Sequence, residues 1–295
     1  MTLARRVGVG LLLLAGCSNV PESYRTEIEA FRAERLTSLT KDDGWLTLAG
    51  LYWLKSGVNR VGTDAVADVV LPPGSAPANV GSLTLMDDGR LLVDLVPNLN
   101  VTIDGEAKHR GVLTSDAAGK PTLVKLGRLT FYVIARAERL GVRVKDNDSL
   151  VRRQFKGLEY FPIDPAWRVT ARFEAFEPPR EIPFATAIGT EDKALSPGQA
   201  VFVLAGQSYT LTATQDPGSD ELAFVFGDAT NQESTYGAGR FLDTPLPNDG
   251  QVVLDFNKAY SPPCAFTPYA TCPLPTSANK LPIAIPAGER RPAHL

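Results

Sequence analysis

The residues best suited to chemistry lie in one polar segment in the second half of the chain. A predicted strand ends in Asp228 and Thr230, and strand ends commonly present functional groups. Tyr236 and Arg240 follow on either side of two glycines. The planar guanidinium of arginine binds carboxylate or phosphate, and glycine lets a ligand approach the main chain closely. This spacing predicts a site for a small polar or anionic ligand.

The next segment offers two more hydrogen-bonding side chains, the amide of Asn257 and the phenol of Tyr260. Prolines and aromatic residues crowd around them, so this segment is expected to form a stiff coil instead of a helix. We expect the coil to cover a pocket with a polar floor and aromatic walls. The predicted floor consists of Asp228, Tyr236, Arg240 and Asn257, and the predicted walls of Phe256, Phe266 and Tyr269.

Two interpretations without a ligand stay open for the same residues. Arg240 and Asp228 can form an ion pair that only fastens the loop to the sheet, because buried arginine networks often organise coils. The whole chain can also be a structural envelope protein whose aromatic and proline-rich surface docks a partner.

An enzyme is a further interpretation. Asp228, Tyr236 and Arg240, with Cys264, can serve a hydrolase that needs neither histidine nor cofactor. Asp228 can also act in a carboxylate pair with another acid of this half of the chain. The candidates for that second acid are Asp243 and Asp255.

Cys264 and Cys272 are the two cysteines of the second half. In an oxidising compartment they can form a disulfide that closes a loop of about nine residues and contributes roughly 2.5 kcal/mol by the loop-entropy model. Alternatively, Cys264 can be a nucleophile if its pKa is depressed, or both thiols can stay reduced and buried. Two cysteines without a second pair or a nearby histidine make a poor zinc site.

The composition excludes several function classes. The chain has two histidines, His109 and His294, and neither lies beside a nucleophile, so a catalytic triad is not expected. No glycine-rich phosphate loop or dinucleotide fingerprint occurs, and we expect neither a cofactor nor a metal. The formal net charge is -3 and no basic run is present, so nucleic acid is not an expected partner.

The elements that must position these residues are mainly strands. Residues 167–176 alternate apolar and polar side chains, which is typical of a half-exposed strand. No later segment has the long helices of a doubly wound or barrel α/β fold, so we predict a second antiparallel sandwich or open barrel. The other predicted strands of this half are 180–188, 200–204, 207–214, 222–226 and 251–256.

The first half alternates short apolar runs with turn residues. Asp88-Gly89 and Asp104-Gly105 are strong hairpin turns, and strands at this spacing predict a β-sandwich of about 100 residues. Ahead of them, Pro21–Leu39 is predicted to be an amphipathic helix that packs on a domain. Its apolar stripe consists of Ile28, Phe31, Leu36 and Leu39. The predicted strands are 66–71, 82–86, 90–96, 101–103, 123–125, 129–135 and 141–144.

Three segments combine glycines, aromatic residues and prolines in an unusual way, namely Thr235–Leu242, Asp255–Pro275 and Asn279–Glu289. Together they resemble a family of uncharacterised bacterial proteins, DUF1684. The resemblance extends from about Trp45 to the C-terminus. It implies a family and no activity.

Residues 126–136, with the order of glycines and turn acids before them, resemble a forkhead-associated (FHA) domain, a module that binds phosphothreonine peptides. Where that family has Gly-Arg, residues 59–62 are Asn-Arg-Val-Gly. Where it has Ser-x-x-His, residues 75–78 are Ser-Ala-Pro-Ala, without the histidine. The resemblance therefore implies the fold and not the phosphopeptide site.

The N-terminus has the three parts of a secretion signal: Arg5 and Arg6, an apolar run over residues 7–14, and Leu-Ala-Gly-Cys ending at Cys17. The tetrapeptide resembles the lipobox of bacterial lipoproteins, in which the cysteine is acylated and becomes the first residue. This implies a lipid anchor, and Ser18 implies the outer membrane, facing the periplasm. The alternative is an ordinary secretory signal whose cysteine has no role.

These observations predict an extracytoplasmic, mainly β lipoprotein with an N-terminal helix. Its expected partners are the membrane that holds the anchor and a small ligand or envelope component. The predicted segments are a signal peptide (1–16), a tether and helix (17–44), an FHA-like β-sandwich (45–150), a connector (151–166), and a β domain ending in a Pro/Cys-rich coil (167–295).

Overall fold

A computed structural model describes residues 20–293 of the chain. They form an N-terminal helix, a first β domain, and a second β domain that ends in a coil, so the protein is mainly β, as predicted. Cys17 and His294 lie outside the described residues. Among the described residues, no helix combines the length and apolar character needed to cross a membrane.

Helix α1 (Glu22–Thr40) packs against the second β domain and contains no proline or glycine. The predicted apolar stripe is partly wrong, because Leu36 is 40% exposed. Arg35 lies on the inner face instead and donates a hydrogen bond to the main-chain oxygen of Ser261 at 2.8 Å. The long stem of arginine can fill apolar space while its head remains hydrogen-bonded. The buried apolar residues of the helix are Tyr24, Ile28 and Leu39.

The first domain is a β-sandwich of two five-stranded sheets. Its strands are β1 (Leu48–Trp53), β2 (Gly57–Gly62), β3 (Val69–Val70), β4 (Gly81–Leu85), β5 (Leu91–Leu95), β6 (Val101–Ile103), β7 (Arg110–Leu113), β8 (Val124–Leu126), β9 (Leu129–Arg136) and β10 (Arg139–Asp146). One sheet has the order β1-β10-β9-β8-β6 and the other β3-β2-β4-β5-β7. Apolar side chains from both sheets form one core. The predicted turn Asp104-Gly105 has positive φ at both residues, which suits Asp-Gly.

The second domain follows a short helix, α2 (Leu150–Gln154), at the predicted helical turn. Its strands are β11 (Arg168–Ala185), β12 (Glu191–Leu204), β13 (Gln207–Thr212), β14 (Glu221–Phe226), β15 (Arg240–Pro245) and β16 (Gln251–Asp255). A four-stranded sheet has the order β13-β12-β11-β16, and β14 pairs with β15. Within residues 20–293 these antiparallel ladders do not close into a barrel, which agrees with the predicted antiparallel sandwich or open barrel.

The hairpin β11–β12 is longer than predicted and extends to the C-terminal coil. Pro178 and Pro179 lie at a shift of register between Ala175 and Arg180, where their missing N–H groups do not interrupt the ladder. Beyond this point the strands continue, and the hairpin tip donates from the N–H of Ala187 to the Cys272 oxygen at 2.8 Å. The hairpin tip therefore contacts the coil, and a cavity lies between the rest of the hairpin and the coil.

Asn279 joins the two ladders of the second domain. Its amide donates to the main-chain oxygens of Thr212 and Val225, both at 2.9 Å, and accepts from the N–H of Thr212 at 2.8 Å. Because these oxygens belong to β13 and β14, this buried side chain joins the two ladders in addition to the main-chain bridge between Thr214 and Ala223. A buried polar group left without a partner costs about 1–3 kcal/mol.

We expect Asn279→Ala to lower the free energy of unfolding by about 2–3 kcal/mol, because it leaves main-chain groups of Thr212 and Val225 unpaired. Urea denaturation followed by circular dichroism measures this change. Asn248→Ala is the control, since Asn248 is exposed and its hydrogen bonds with Gln251 use only main-chain atoms. Equal effects of the two substitutions would contradict the role of Asn279.

Candidate functional site

Arg240 and Asp228 form an ion pair inside the second domain. Nη2 of Arg240 lies 2.6 Å from Oδ2 of Asp228, and both side chains are fully shielded from solvent. The guanidinium also donates to the main-chain oxygens of Ile285 and Ala287. This is the arrangement that the sequence analysis associates with a structural ion pair.

The loop that carries Asp228 is held by its own hydrogen bonds. Oδ1 of Asp228 accepts from the hydroxyl of Thr230 at 2.6 Å and from the N–H of Ile285 at 3.2 Å. The Thr230 hydroxyl also lies 2.8 Å from that of Thr235. Thr230 is buried, so its hydroxyl serves the loop.

The other two residues of the predicted floor lie elsewhere. The hydroxyl of Tyr236 donates to the main-chain oxygen of Cys264 at 2.9 Å. The amide of Asn257 donates to the hydroxyl of Tyr24 at 3.0 Å and to the Asp164 oxygen at 2.9 Å. Tyr236 thus anchors the coil and Asn257 anchors helix α1, and the four residues do not share one open surface.

A different cavity, which we call the hairpin cleft, opens between the β11–β12 hairpin, strands β14 and β15, and the C-terminal coil. Its volume is about 430 Å³. Ligand pockets in proteins typically have volumes of about 300–1,000 Å³, mostly apolar walls and a few converging polar groups. The apolar residues of the hairpin cleft include Ile182, Phe184, Ala194, Val225, Phe241 and Leu274.

Tyr260, one of the predicted site residues, lines this cleft. Its hydroxyl donates to Oδ2 of Asp243 at 2.6 Å, and the guanidinium of Arg35 stacks 4.6 Å from its ring centroid. Asp243 is an exposed residue, and neighbouring protein atoms displace only part of the water around its carboxylate. Burial raises the pKa of Asp243, although the hydrogen bond from Tyr260 acts in the opposite direction. Burial, reinforced by the charge of Asp243, also raises the pKa of Tyr260.

The charged residues of the hairpin cleft are mainly acidic. They are Asp192, Asp216 and Asp243, with Arg136 as the one base among the lining residues. Arg136 already pairs with Asp116 at 2.8 Å. None of the three acids has a basic partner among the ion pairs of the described residues. The cleft therefore has an excess of negative charge.

Comparison with known proteins identifies a family for the second domain. The sequence pattern of DUF1684, described as a protein of unknown function, matches residues 153–290. The chain belongs to the DUF1684 family. The matched region begins well after Trp45 and is therefore shorter than the sequence analysis predicts. No curated protein matches the chain.

Three solved structures are similar to parts of this DUF1684 protein. An uncharacterized protein of Haloarcula marismortui is 35% identical, with a TM-score of 0.41, over 47% of this chain and 78% of its own. An FHA domain from a study of phosphothreonine-dependent interactions is 15% identical, with a TM-score of 0.23, over 32% of this chain and 92% of its own. The FHA domain of a Chlamydia trachomatis protein is 22% identical, with a TM-score of 0.23, over 32% of this chain and 94% of its own.

The DUF1684 region supplies every lining residue of the hairpin cleft except Arg136, which comes from β9 of the first domain. From the sequence, Asp243 was predicted only as a partner for Asp228, and neither Asp192 nor Asp216 was predicted as a site residue. Asp243 lies in β15, whose buried and more exposed residues alternate over 240–245 in the structure. Asp192 and Asp216 carry no local signal, because long-range pairing brings them to the cleft.

The two cysteines of the DUF1684 region are free thiols in this structure, so the predicted disulfide is not formed. They are nevertheless neighbours, since the N–H of Cys264 donates to Sγ of Cys272 at 3.3 Å.

Within residues 20–293, no three side chains of histidine, cysteine, aspartate or glutamate are grouped as metal ligands.

Proposed function

We propose that this protein is a binding protein whose hairpin cleft accepts a small molecule with an apolar body and a hydrogen-bond-donating head, either an amine or a hydroxyl group. The observation that supports this proposal is the Asp243–Tyr260 pair in a cleft that also has apolar side chains for the body of a ligand. An apolar body gains from burial against the cleft walls, at roughly 25 cal/mol per Å² of apolar surface. The amine or hydroxyl head of the ligand would then donate a hydrogen bond to a carboxylate of the cleft, such as that of Asp243.

The charge of the cleft favours a neutral or cationic head over an anionic one. The charge of Asp216 raises the pKa of Asp243, although the charge of Arg35 lowers it by more. An ammonium group between them would relieve this repulsion, whereas a carboxylate would add to it. The anionic ligand considered from the sequence depended on Arg240, whose guanidinium is buried.

The cellular site is a separate part of the proposal and is supported only by the sequence. Cys17 follows an apolar run and a lipobox-like tetrapeptide, so we infer a lipid anchor outside the cytoplasm, with the cleft in the periplasm at the outer membrane. A ligand would then be a small envelope component.

Three six-carbon probes test the ligand class: hexylamine, hexanol and hexanoate, each measured by thermal shift on the full chain. We expect hexylamine to raise Tm most and hexanoate not at all, since binding to the native state adds stability of RT ln(1 + [L]/Kd). At ten times Kd this is about 1.4 kcal/mol, which corresponds to a rise in Tm of about 3–6 °C.

Two variants and one control make this test specific. Asp243→Asn removes the charge and is expected to abolish the preference for the amine, and Ala194→Phe narrows the cleft and is expected to abolish all shifts. Asp87→Asn removes an exposed acid of the first domain and should behave like the wild type. A preference for hexanoate, or an amine preference that survives Asp243→Asn, would refute the proposal.

A hydrolase is the second candidate, because the raised pKa of Asp243 and its place in a cleft are properties of a general acid. The two candidates differ in the fate of the ligand. A binding protein returns the bound molecule unchanged, whereas a hydrolase releases a product whose formation Asp243→Asn would abolish.

A further inference from the structure

Cys264 and Cys272 have no role in the hairpin cleft, yet the fold holds them together. We propose that they are a redox-active pair that exchanges with external disulfides, in which Cys264 is the attacking thiol and Cys272 the resolving thiol. The proposal does not depend on ligand binding. It rests on the proximity, unequal access and electrostatics of the two sulfur atoms.

Proximity comes from hydrogen bonds outside the pair. The oxygen of Cys264 accepts from the Tyr236 hydroxyl at 2.9 Å, and the oxygen of Cys272 accepts from the N–H of Ala187 at 2.8 Å. The N–H of Cys264 points at Sγ of Cys272, 3.3 Å away. The thiols are therefore adjacent before any bond joins them, and closing the disulfide requires little ordering of the chain.

Access to the two thiols is unequal. Cys264 is half-buried and lines a depression of about 470 Å³ together with Tyr236, Thr267 and Arg291. Cys272 is buried behind it, against Leu48. A disulfide reagent from solvent therefore reaches Cys264 first, and Arg291 adds positive charge where an anionic reagent would enter.

The pKa values of the two thiols differ in the same sense as their access to solvent. A hydrogen bond from the Cys272 thiol lowers the pKa of Cys264, although burial opposes this effect. The same hydrogen bond and burial raise the pKa of Cys272. The thiolate is the nucleophilic form, so the accessible sulfur is also the more reactive one.

The reaction balances with an external disulfide as the oxidant. The Cys264 thiolate attacks one sulfur of the external disulfide, forms a mixed disulfide and releases one external thiolate. Cys272 then loses its proton, attacks Sγ of Cys264 and releases the second external thiolate. Two protein thiols are oxidised to one disulfide, and the external disulfide is reduced to two thiols.

The bond would fix a segment that joins the two domains. Between the cysteines, the Thr267 hydroxyl donates to the oxygen of Leu48, and Thr271 accepts from Arg136 and Arg143 of the first domain. Oxidation would close residues 264–272 into a covalent loop and restrict the segment that makes these contacts. Reduction would remove this restriction.

The experiment uses the full chain carrying Cys17→Ser, which leaves Cys264 and Cys272 as its only thiols. The reduced protein is treated with oxidised glutathione and followed by intact mass. We expect a transient single glutathione adduct, then a species lighter than the reduced protein by two hydrogen atoms, and full reversal by reduced glutathione. Cys272→Ser should stop at the adduct, and Cys264→Ser should react at least about tenfold more slowly.

Circular dichroism of both serine variants verifies that they fold. Equal reaction rates of Cys264→Ser and Cys272→Ser would overturn the assignment of roles. Two stable adducts on the parent protein would show that the thiols do not resolve each other. A disulfide that reduced glutathione cannot open would make the bond a static crosslink and would also overturn the proposal.

Discussion

Arg240→Ala is expected to lower the free energy of unfolding of the second domain by about 3–5 kcal/mol, the usual cost of removing one partner of a buried pair. The substitution leaves the Asp228 carboxylate in the interior without its cation. It also removes the donors for the main-chain oxygens of Ile285 and Ala287, which hold the last part of the coil. Both losses act in the same direction.

Urea denaturation followed by circular dichroism measures the effect of Arg240→Ala. Arg172→Ala is the matched control, because Arg172 forms an ion pair with Glu174 on the surface of the same domain with 65% of its side chain exposed. Exposed pairs contribute about 0–1 kcal/mol. Replacing the pair by Arg240→Met with Asp228→Asn should recover the part of the loss that comes from the unpaired Asp228 charge, whereas the oxygens of Ile285 and Ala287 stay without that donor. A loss for Arg240→Ala no larger than the control would show that the pair is not structural.

Arg35→Ala has the second-largest expected effect, a loss of about 3 kcal/mol at neutral pH. Arg35 connects helix α1 to the second domain: Nε lies 3.3 Å from Oε2 of Glu289, whose side chain is fully buried. Burial raises the pKa of Glu289, and the charge of Arg35 counteracts that rise. Without Arg35, Glu289 either keeps an unpaired charge inside the protein or takes up a proton.

The pH dependence of Arg35→Ala follows from this pKa. A folded-state pKa above the unfolded value means that Glu289 adds stability at acidic pH, and that this contribution disappears as the pH rises through the folded-state pKa. Since Arg35→Ala raises the folded-state pKa further, the variant loses most stability at neutral pH. Its deficit should shrink as the pH falls toward the ordinary glutamate value of about 4.3.

A double-mutant cycle with Glu289→Gln isolates the interaction. We expect Arg35→Ala with Glu289→Gln to be more stable than Arg35→Ala alone by at least about 1 kcal/mol at neutral pH. Arg25→Ala is the control on the same helix, because the Arg25–Glu22 pair is largely exposed. A deficit of Arg35→Ala that does not change with pH would contradict the role of Glu289.

Sequence patterns located most of the fold, and their failures have local causes. Strand β15, over residues 240–245, was missed because it lies between a glycine-rich loop and a proline turn and is only six residues long. The hairpin β11–β12 was predicted as shorter strands because Pro178 and Pro179 normally end a ladder. Here they fall at a bulge, which no local pattern reveals.

The candidate site was harder to predict, because burial depends on distant parts of the chain. Arg240 and Asp228 were correctly placed together, but the segment around Ile285 covers them, so their side chains face the interior. Phe256 and Phe266 were expected to wall a pocket and instead fill cores. Tyr260 reaches the hairpin cleft because it forms a β-bridge with Phe241 of β15. Such a pairing is set by tertiary structure alone.

Ligand binding in the hairpin cleft can be followed residue by residue. Amide chemical shifts of the isotope-labelled full chain are recorded during titration with hexylamine and with hexanoate. We expect saturable changes at Ala194, Phe241 and Asp243 with hexylamine and none with hexanoate. Changes confined to the loop of residues 227–239, or equal changes with both probes, would contradict ligand binding in the cleft as proposed.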